Sequence, residues 1–157
     1  MALAFFSTWT TYGTWLPGDQ RGWFKRGHGL QAPDALREFE AALRMTAQAI
    51  TLDHEQRRLV ERTIADHCGI RKWILHAVNC RSNHVHVVVT APDRPIELPR
   101  EQFKSWCTRK LMDRERLLVA DHWTAVPEKW WTERGWDEYI DEENSLADVI
   151  AYVRDRQ

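Results

Sequence analysis

The chain has 157 residues, of which 43% are hydrophobic and 29% are charged, and its formal net charge is −1 at pH 7. This composition excludes a disordered chain, and the length suits a single domain over residues 1–157. The near-neutral charge also differs from the basic character of most nucleic-acid-binding proteins.

The sequence carries no clear signal for a membrane, for secretion or for disulfide bonds. No apolar run approaches the about 18 residues of a membrane helix, and the first residues lack the basic segment of a signal peptide. The three cysteines are odd in number and widely spaced, which argues against a disulfide framework. We therefore expect a cytoplasmic protein with no membrane partner.

The amino-terminal part predicts one strand, a long loop and two helices. Residues 5–11 are aromatic and threonine-rich, as is typical of a strand. Five of the seven glycines fall in residues 13–29, which indicates a loop, and Arg21 and Lys25 give this loop a basic character. Residues 35–48 have a helical composition. Residues 53–68 predict a second helix with Asp53 and Gln56 as a capping box and Gly69 at its end.

The middle of the chain predicts a strand pair followed by a helix. Residues 72–78 and 83–89 are apolar and are joined by a short turn, so we expect two antiparallel strands. Three prolines follow, and residues 100–116 then predict a helix whose apolar residues recur every four positions and pack on the sheet. This leaves Arg100, Lys104 and Arg109 to face solvent or a phosphate.

The carboxy-terminal part predicts two strands and a last helix. Residues 129–140 are typical of a strand, a glycine turn and a second strand. A helix begins near Asn144 or Ser145, where Ser145 with Asp148 resembles a capping box. Tyr152 lies beside the apolar stripe of this helix, where its hydroxyl can reach a cleft at the sheet. The order β-α-α-β-β-α-β-β-α predicts an α+β fold, an antiparallel sheet with helices mainly on one face.

The valine-rich strand at residues 83–89 carries a pair of histidines. His84 and His86 are two positions apart, so both imidazoles project from the same face of the strand. Two imidazoles on a rigid strand form half of a divalent-metal site. The alternative is that both histidines are hydrogen-bonded structural residues.

These residues suggest chemistry on a phosphodiester. A cation held by the two histidines would polarise a non-bridging oxygen, and a tyrosine would attack phosphorus and conserve the bond energy as a phosphotyrosine. The candidate nucleophiles are Tyr12, Tyr139 and Tyr152. Tyr152 is preferred because a helix holds it rigidly beside the sheet, and Tyr139 is the second choice.

At these residues the sequence resembles the single-tyrosine transposases of the HUH endonuclease superfamily, in particular those associated with repetitive extragenic palindromes (REP). The resemblance extends over nearly the whole chain. Its motifs are Thr-Trp-Thr-Thr-Tyr-Gly-Thr-Trp-Leu-Pro-Gly-Asp at 8–19, Asn-His-Val-His-Val-Val-Val at 83–89, Phe-Lys-Ser-Trp at 103–106, Trp-Thr-Glu-Arg-Gly at 131–135 and Ala-Tyr-Val at 151–153.

The resemblance implies a ferredoxin-like sheet and an enzyme that uses Mg²⁺ or Mn²⁺ to nick single-stranded DNA beside a hairpin. It makes His84 and His86 the metal ligands and Tyr152 the nucleophile that forms a 5′-phosphotyrosine. It also implies a further ligand one helical turn after the tyrosine. Arg156 occupies that place, so the flanking Asp155 and Gln157 are the predicted further ligands.

The predicted partner is hairpin DNA, and the resemblance allows a monomer or a homodimer. The predicted DNA contacts are Arg21, Lys25, Arg100, Lys104 and Arg109. Three other interpretations stay open: a domesticated protein that binds hairpins without cleaving them, a structural zinc protein, and a plain globular domain. The zinc protein would use Cys68, His76, Cys80 and the strand histidines, but the chain has no Cys-x-x-Cys pair.

Overall fold

The structure, a computed structural model, describes residues 2–92, 95–119 and 125–155. Its elements in chain order are β1 (Ala4–Thr10), β2 (Trp23–Lys25), β3 (Gly29–Gln31), α1 (Ala35–Leu43), α2 (His54–Arg71), β4 (Ile74–Cys80), β5 (His84–Thr90), α3 (Glu97–Leu118), β6 (Trp136–Ile140) and α4 (Glu143–Asp155). Strands β4, β5, β1 and β6 form one antiparallel sheet in that order. With α2 and α3 as crossovers, this is the β-α-β-β-α-β arrangement of ferredoxin-like folds. The predicted α+β class is confirmed.

The alternation of residues along β5 divides the sheet into two faces. Val85, Val87 and Val89 are fully buried on the face that α2 and α3 cover, together with Trp9 and Phe103. The intervening Val88 lies in a smaller apolar cluster with residues of β1, β4, β6 and α4. The two long helices therefore cover one face, and α4 covers the other. The prediction placed the helices mainly on one face and did not specify that the last helix covers the opposite one.

Helix α2 begins as the sequence predicts but ends later. The Asp53 carboxylate accepts the N–H of Gln56 at 2.8 Å, and the Gln56 side chain accepts the N–H of Asp53 at 2.9 Å, which confirms the capping box. The prediction that Gly69 ends the helix is wrong. Helix α2 continues to Arg71, and Lys72 adopts the left-handed conformation with φ 59° that stops it.

Two predictions for the carboxy-terminal part are also wrong. The first of the two strands predicted in residues 129–140 does not form, and pairing there is limited to a bridge between Thr11 and Trp131. Helix α4 begins at Glu143, so Ser145 lies inside the helix rather than at its cap.

The predicted loop at residues 13–29 contains β2 and the first residue of β3, and it packs against the start of α1. Gly18 has φ 95°, and a Cβ there would lie 2.2 Å from the Asp34 carbonyl oxygen, so the close approach requires glycine. All three cysteines are free thiols buried in the core. Within the described ranges, the helices are too short or too polar to cross a membrane.

Candidate active site

The two histidines of β5 lie side by side on the face of the sheet that α4 covers. His86 pairs with Thr8 of β1 on one side and with Asn79 of β4 on the other. The imidazole rings of His84 and His86 have centroids 4.8 Å apart and planes at 72°. The predicted projection of both imidazoles from one face is therefore confirmed, and pairing on both sides of β5 holds them rigidly.

Each imidazole has a nitrogen that can act as a metal ligand. His84 Nδ1 contacts the Asn83 side-chain oxygen at 2.7 Å, and because that oxygen can only accept, Nδ1 is the donor and Nε2 is the nitrogen suited to a metal ion. The His86 ring stacks on Phe6 with centroids 5.2 Å apart. His86 Nδ1 is buried and has no hydrogen-bond partner among the described residues.

The environment of His86 favours its neutral form. Burial, then the neighbouring His84 and Arg81, lower the pKa of His86 from 6.5 to about 4. The ring is therefore uncharged at pH 7, which is the state that donates a lone pair to a cation.

Tyr152 lies next to this pair. Its ring centroid is 6.0 Å from that of His86, with the planes at 73°, and its side chain is 46% exposed. The adjacent Val153 is buried in the cluster that seals α4 onto the sheet, and its carbonyl accepts the side-chain N–H of Asn79 at 2.9 Å. Arg154 donates to the His76 carbonyl at 3.0 Å. The last turn of α4 is thus tied to β4 just after Tyr152.

The other two tyrosines lie away from the histidines. Tyr139 pairs with Phe5 on the face that α2 and α3 cover, and it is exposed. The Tyr12 hydroxyl accepts the N–H of Thr46 at 3.0 Å, and hydrogen bonding first to the side chain and then to the backbone of Thr46 lowers the pKa of Tyr12. Of the three candidate nucleophiles, Tyr152 is the one that the fold brings to the histidine pair.

Of the two further metal ligands predicted near the end of α4, the structure describes only Asp155, which forms no ligand cluster with the histidines. Asp155 is exposed at the last residue of the helix, and Gln157 lies outside the described residues. Within 2–92, 95–119 and 125–155, no three histidine, cysteine or acidic side chains lie close enough to hold one ion. The imidazoles of His84 and His86, the latter uncharged at pH 7, fit a divalent cation, and the side-chain oxygen of Asn83 lies beside them. This donor set suits Mn²⁺ better than Mg²⁺, which prefers oxygen ligands.

Two of the five predicted DNA contacts point into the protein. Arg100 and Lys104 are only 6% and 8% exposed, so the prediction that they face solvent is wrong. Arg100 forms a buried ion pair with Asp137, and the Lys104 ammonium donates to the carbonyls of Thr132 and Arg134 at 2.8 Å each. Burial lowers the pKa of Lys104. Both cations hold residues 132–137 on α3.

The other three predicted contacts lie at the surface. Arg21 is bound by the Asp19 carboxylate at 2.7 Å and lies over the Trp15 ring at 4.1 Å, so it braces its own loop. Lys25 is exposed on β2. Arg109 is exposed on α3, with its guanidinium 4.7 Å from the centre of the Trp106 ring.

A second group of basic residues, which the sequence analysis did not single out, lies beside the histidines. We name it the edge cleft: a cavity of about 370 Å³ lined by His54, Arg57, Arg58, Glu61, Asn79, Cys80, Arg81 and Arg154. Its four arginines come from three separate segments of the chain, so no run of basic residues in the sequence indicates the cleft. The signal available in the sequence was the position of Arg154 two residues after Tyr152.

Several solved structures are similar to this chain, including the following two. A REP-associated tyrosine transposase bound to a REP hairpin is 13% identical, with a TM-score of 0.52 over 96% of this chain and 63% of that one. This chain thus spans less than two thirds of that protein's length. A candidate transposase from Deinococcus radiodurans R1 is 15% identical, with a TM-score of 0.51 over 100% of this chain and 92% of that one.

The sequence itself matches no family model and no curated protein. At identities this low, similarity of structure is evidence of a shared fold. The resemblance to the tyrosine transposases is thereby confirmed in three dimensions, and the protein has the fold of these two structures.

Proposed function

We propose that this protein is a DNA-processing enzyme of the tyrosine-transposase type, which nicks single-stranded DNA beside a hairpin and transfers the cut strand. The observation that carries this proposal is the position of Tyr152, with its ring 6.0 Å from His86 and on the same face as His84. The fold shared with two transposase structures, one of them bound to a hairpin, supports the same reaction class.

The nucleophile in this reaction is the Tyr152 phenol oxygen. It forms a bond to phosphorus while the bond from phosphorus to the 3′ oxygen breaks. The phenol loses its proton, the departing 3′ oxygen gains one, and the 5′ phosphate stays linked to Tyr152. Attack by another 3′-hydroxyl reverses these changes and rejoins the strand, so no external energy source is needed.

The residues around Tyr152 position the reacting groups. Asn79 and Arg154 fix the last turn of α4, so the phenol faces the sheet at a set depth. His84 and His86 would hold a divalent cation, Mn²⁺ or Mg²⁺, which when bound supplies positive charge at the phosphate oxygens. Asn83 orients His84, and stacking on Phe6 holds the His86 ring in place.

A second candidate function is hairpin binding without cleavage. It is favoured by one observation: the described residues supply two histidine ligands but no third histidine, cysteine or acidic ligand beside them. A protein that kept the fold and lost cation affinity would still bind DNA.

The test is a covalent-adduct assay. The protein is incubated with end-labelled hairpin DNA carrying single-stranded flanks and Mn²⁺, and the products are resolved on a denaturing protein gel. We expect a protein-linked label with the wild type and none with Tyr152→Phe, because the phenylalanine ring has no oxygen to form the bond. We expect His84→Ala to reduce the adduct by about 100-fold, the upper end of the range for lost metal-site interactions.

Tyr139→Phe is the matched control, because it removes the same hydroxyl from an exposed tyrosine on the opposite face. It should form the adduct at the wild-type rate. An adduct that forms in Tyr152→Phe but not in Tyr139→Phe would identify Tyr139 as the nucleophile. Hairpin binding by the wild type with no adduct, in both Mn²⁺ and Mg²⁺, would favour the second candidate function.

A further inference from the structure

Four arginines converge on the edge cleft, and one acid accompanies them among its lining residues. Arg57, Arg58, Arg81 and Arg154 contribute four positive charges there, and Glu61 contributes one negative charge. The whole chain has a formal net charge of −1, so this is a strong local concentration of positive charge. Such a concentration selects an anionic ligand.

The fold assembles the cleft at the outer edge of the sheet. Strand β4 is the edge strand, next to β5, and it supplies Asn79 and Cys80. Arg57 and Arg58 come from the first turns of α2, on one face of the sheet, and Arg154 comes from the last turn of α4, on the other face. The cleft therefore reaches around the sheet edge, from one face to the other.

The cleft adjoins the site of Tyr152. Asn79 lines the cleft and pairs across the sheet with His86. The Arg81 backbone N–H donates to the His84 carbonyl at 2.8 Å. Arg154 is two residues beyond Tyr152 on α4. A chain bound in the cleft would thus continue directly to the histidines and the phenol.

Three of the arginines are available to an anion. Arg57 donates to the Asp53 backbone carbonyl at 3.3 Å, and Arg154 donates to the His76 carbonyl, each through one nitrogen. No ion pair found among the described residues contains Arg57, Arg58 or Arg154. This differs from Arg100, whose guanidinium is neutralised by Asp137. Each of the three keeps nitrogens that can form the paired hydrogen bonds that arginine makes with phosphate.

We propose that the edge cleft binds the sugar–phosphate backbone of the single-stranded DNA segment next to the scissile phosphate. The proposal rests on the proposed function, which it extends by naming where the substrate backbone lies. Contacts to phosphates position a nucleic acid without reading its sequence, so the cleft sets the register of the strand over Tyr152 and leaves base recognition to other surfaces.

The experiment measures binding of a fluorescein-labelled oligothymidine of 12 nucleotides to the whole chain by fluorescence anisotropy. The measurements are made in EDTA over a series of salt concentrations. The cleft variant carries Arg57→Gln and Arg58→Gln. Its affinity should fall at all salt concentrations, and its salt slope should decrease by about 0.7 for each phosphate contact removed, or about 1.4 in total.

Two further variants separate a charge effect from a structural one. Arg62→Gln with Arg71→Gln makes the same charge change at exposed positions of α2 outside the cleft, and should leave the slope near that of the wild type. Glu61→Gln removes the negative charge of the cleft and should tighten binding, whereas damage to the cleft would weaken it. An oligonucleotide with uncharged methylphosphonate linkages should bind the cleft variant and the wild type equally.

The proposal is overturned if the cleft variant and the α2 control variant have the same slope, or if the cleft variant weakens binding of the uncharged oligonucleotide as much as that of the charged one. The adduct assay on the same proteins separates the two proposals. If the wild type forms the adduct but the cleft variant binds DNA as the α2 control variant does, only the edge-cleft proposal is overturned. If the cleft variant binds DNA more weakly but the wild type forms no adduct, only the proposal of strand cleavage is overturned. If neither the adduct nor the effect of the cleft is observed, both proposals are overturned.

Discussion

The two faces of the four-stranded sheet are built differently, although the same strands make both. On the α2–α3 face, Val85, Val87, Val89 and Phe103 are fully buried in one large core. On the α4 face, the alternate positions of β5 include His84 and His86, and the apolar cluster there is smaller. One strand thus anchors itself in the core through every second residue and carries the candidate functional side chains at the positions between them.

This division explains why the candidate site can be polar without loosening the fold. The valines fix the depth and register of β5, and Phe6 and Asn83 then orient the two imidazoles that the strand carries. Helix α4 covers only part of its face, and Tyr152 is left 46% exposed beside the histidines. Stability should therefore depend mainly on the α2–α3 face, and activity mainly on the α4 face.

Phe103→Ala should give the largest effect, and it should be on stability. The Phe103 ring contacts Trp9, His67 and Trp73 in the core, and its removal should lower the free energy of unfolding by about 3–5 kcal/mol. Tyr152→Phe removes one hydroxyl from an exposed ring and should change stability by no more than about 0.5 kcal/mol. Urea denaturation followed by fluorescence measures both. A loss of several kcal/mol in Tyr152→Phe would contradict the assignment of stability to the α2–α3 face and of activity to the α4 face.

Acid should destabilise the protein through His86. The pKa of His86 is about 4 in the folded protein, against 6.5 for the free side chain, so as the pH falls below 6.5 the unfolded state binds the proton first. The stabilisation is complete above pH 6.5 and is lost by about pH 4, with an upper limit of roughly 3 kcal/mol. His86→Gln should lose this part of the pH dependence.

The check is the free energy of unfolding of the wild type and His86→Gln, measured in EDTA between pH 7 and pH 4.5. His28→Gln is the control, since His28 is exposed in the turn between β2 and β3, and it should retain the wild-type pH dependence. If the curves of the wild type and His86→Gln stay parallel, His86 is solvated rather than buried, and the α4 face is open to water.

The elements of the fold that depend on local patterns were predictable from the sequence. The alternation around His84 and His86, the capping box at Asp53 and the side position of Tyr152 each follow from the geometry of one strand or helix. The proximity of Tyr152 to His86 followed from the family resemblance, since no local rule brings residue 152 to residue 86.

The basic residues show why the rest was not predictable. A helical wheel leaves Arg100 and Lys104 on the polar side of α3, but it cannot show that residues 132–137 fold over that side and bury them. In the edge cleft the reverse holds, because Arg57, Arg81 and Arg154 are distant in sequence and meet only in the folded protein. Charge in a sequence identifies candidates, and long-range contacts decide which of them face a ligand.

Cation binding should give the smallest stability effect, confined to the α4 face. A cation that binds the folded state, at 100 times its dissociation constant, stabilises a protein by about 2.7 kcal/mol, which corresponds to a rise in Tm of roughly 5–10 °C at this chain length. Adding Mn²⁺ at pH 7 should produce this rise in the wild type and in His28→Ala, and none in His84→Ala, which removes one of the two imidazoles. Differential scanning fluorimetry over a Mn²⁺ titration measures it. An equal rise in His84→Ala would mean that the ion binds elsewhere, and the histidine pair would then be a structural feature of the α4 face.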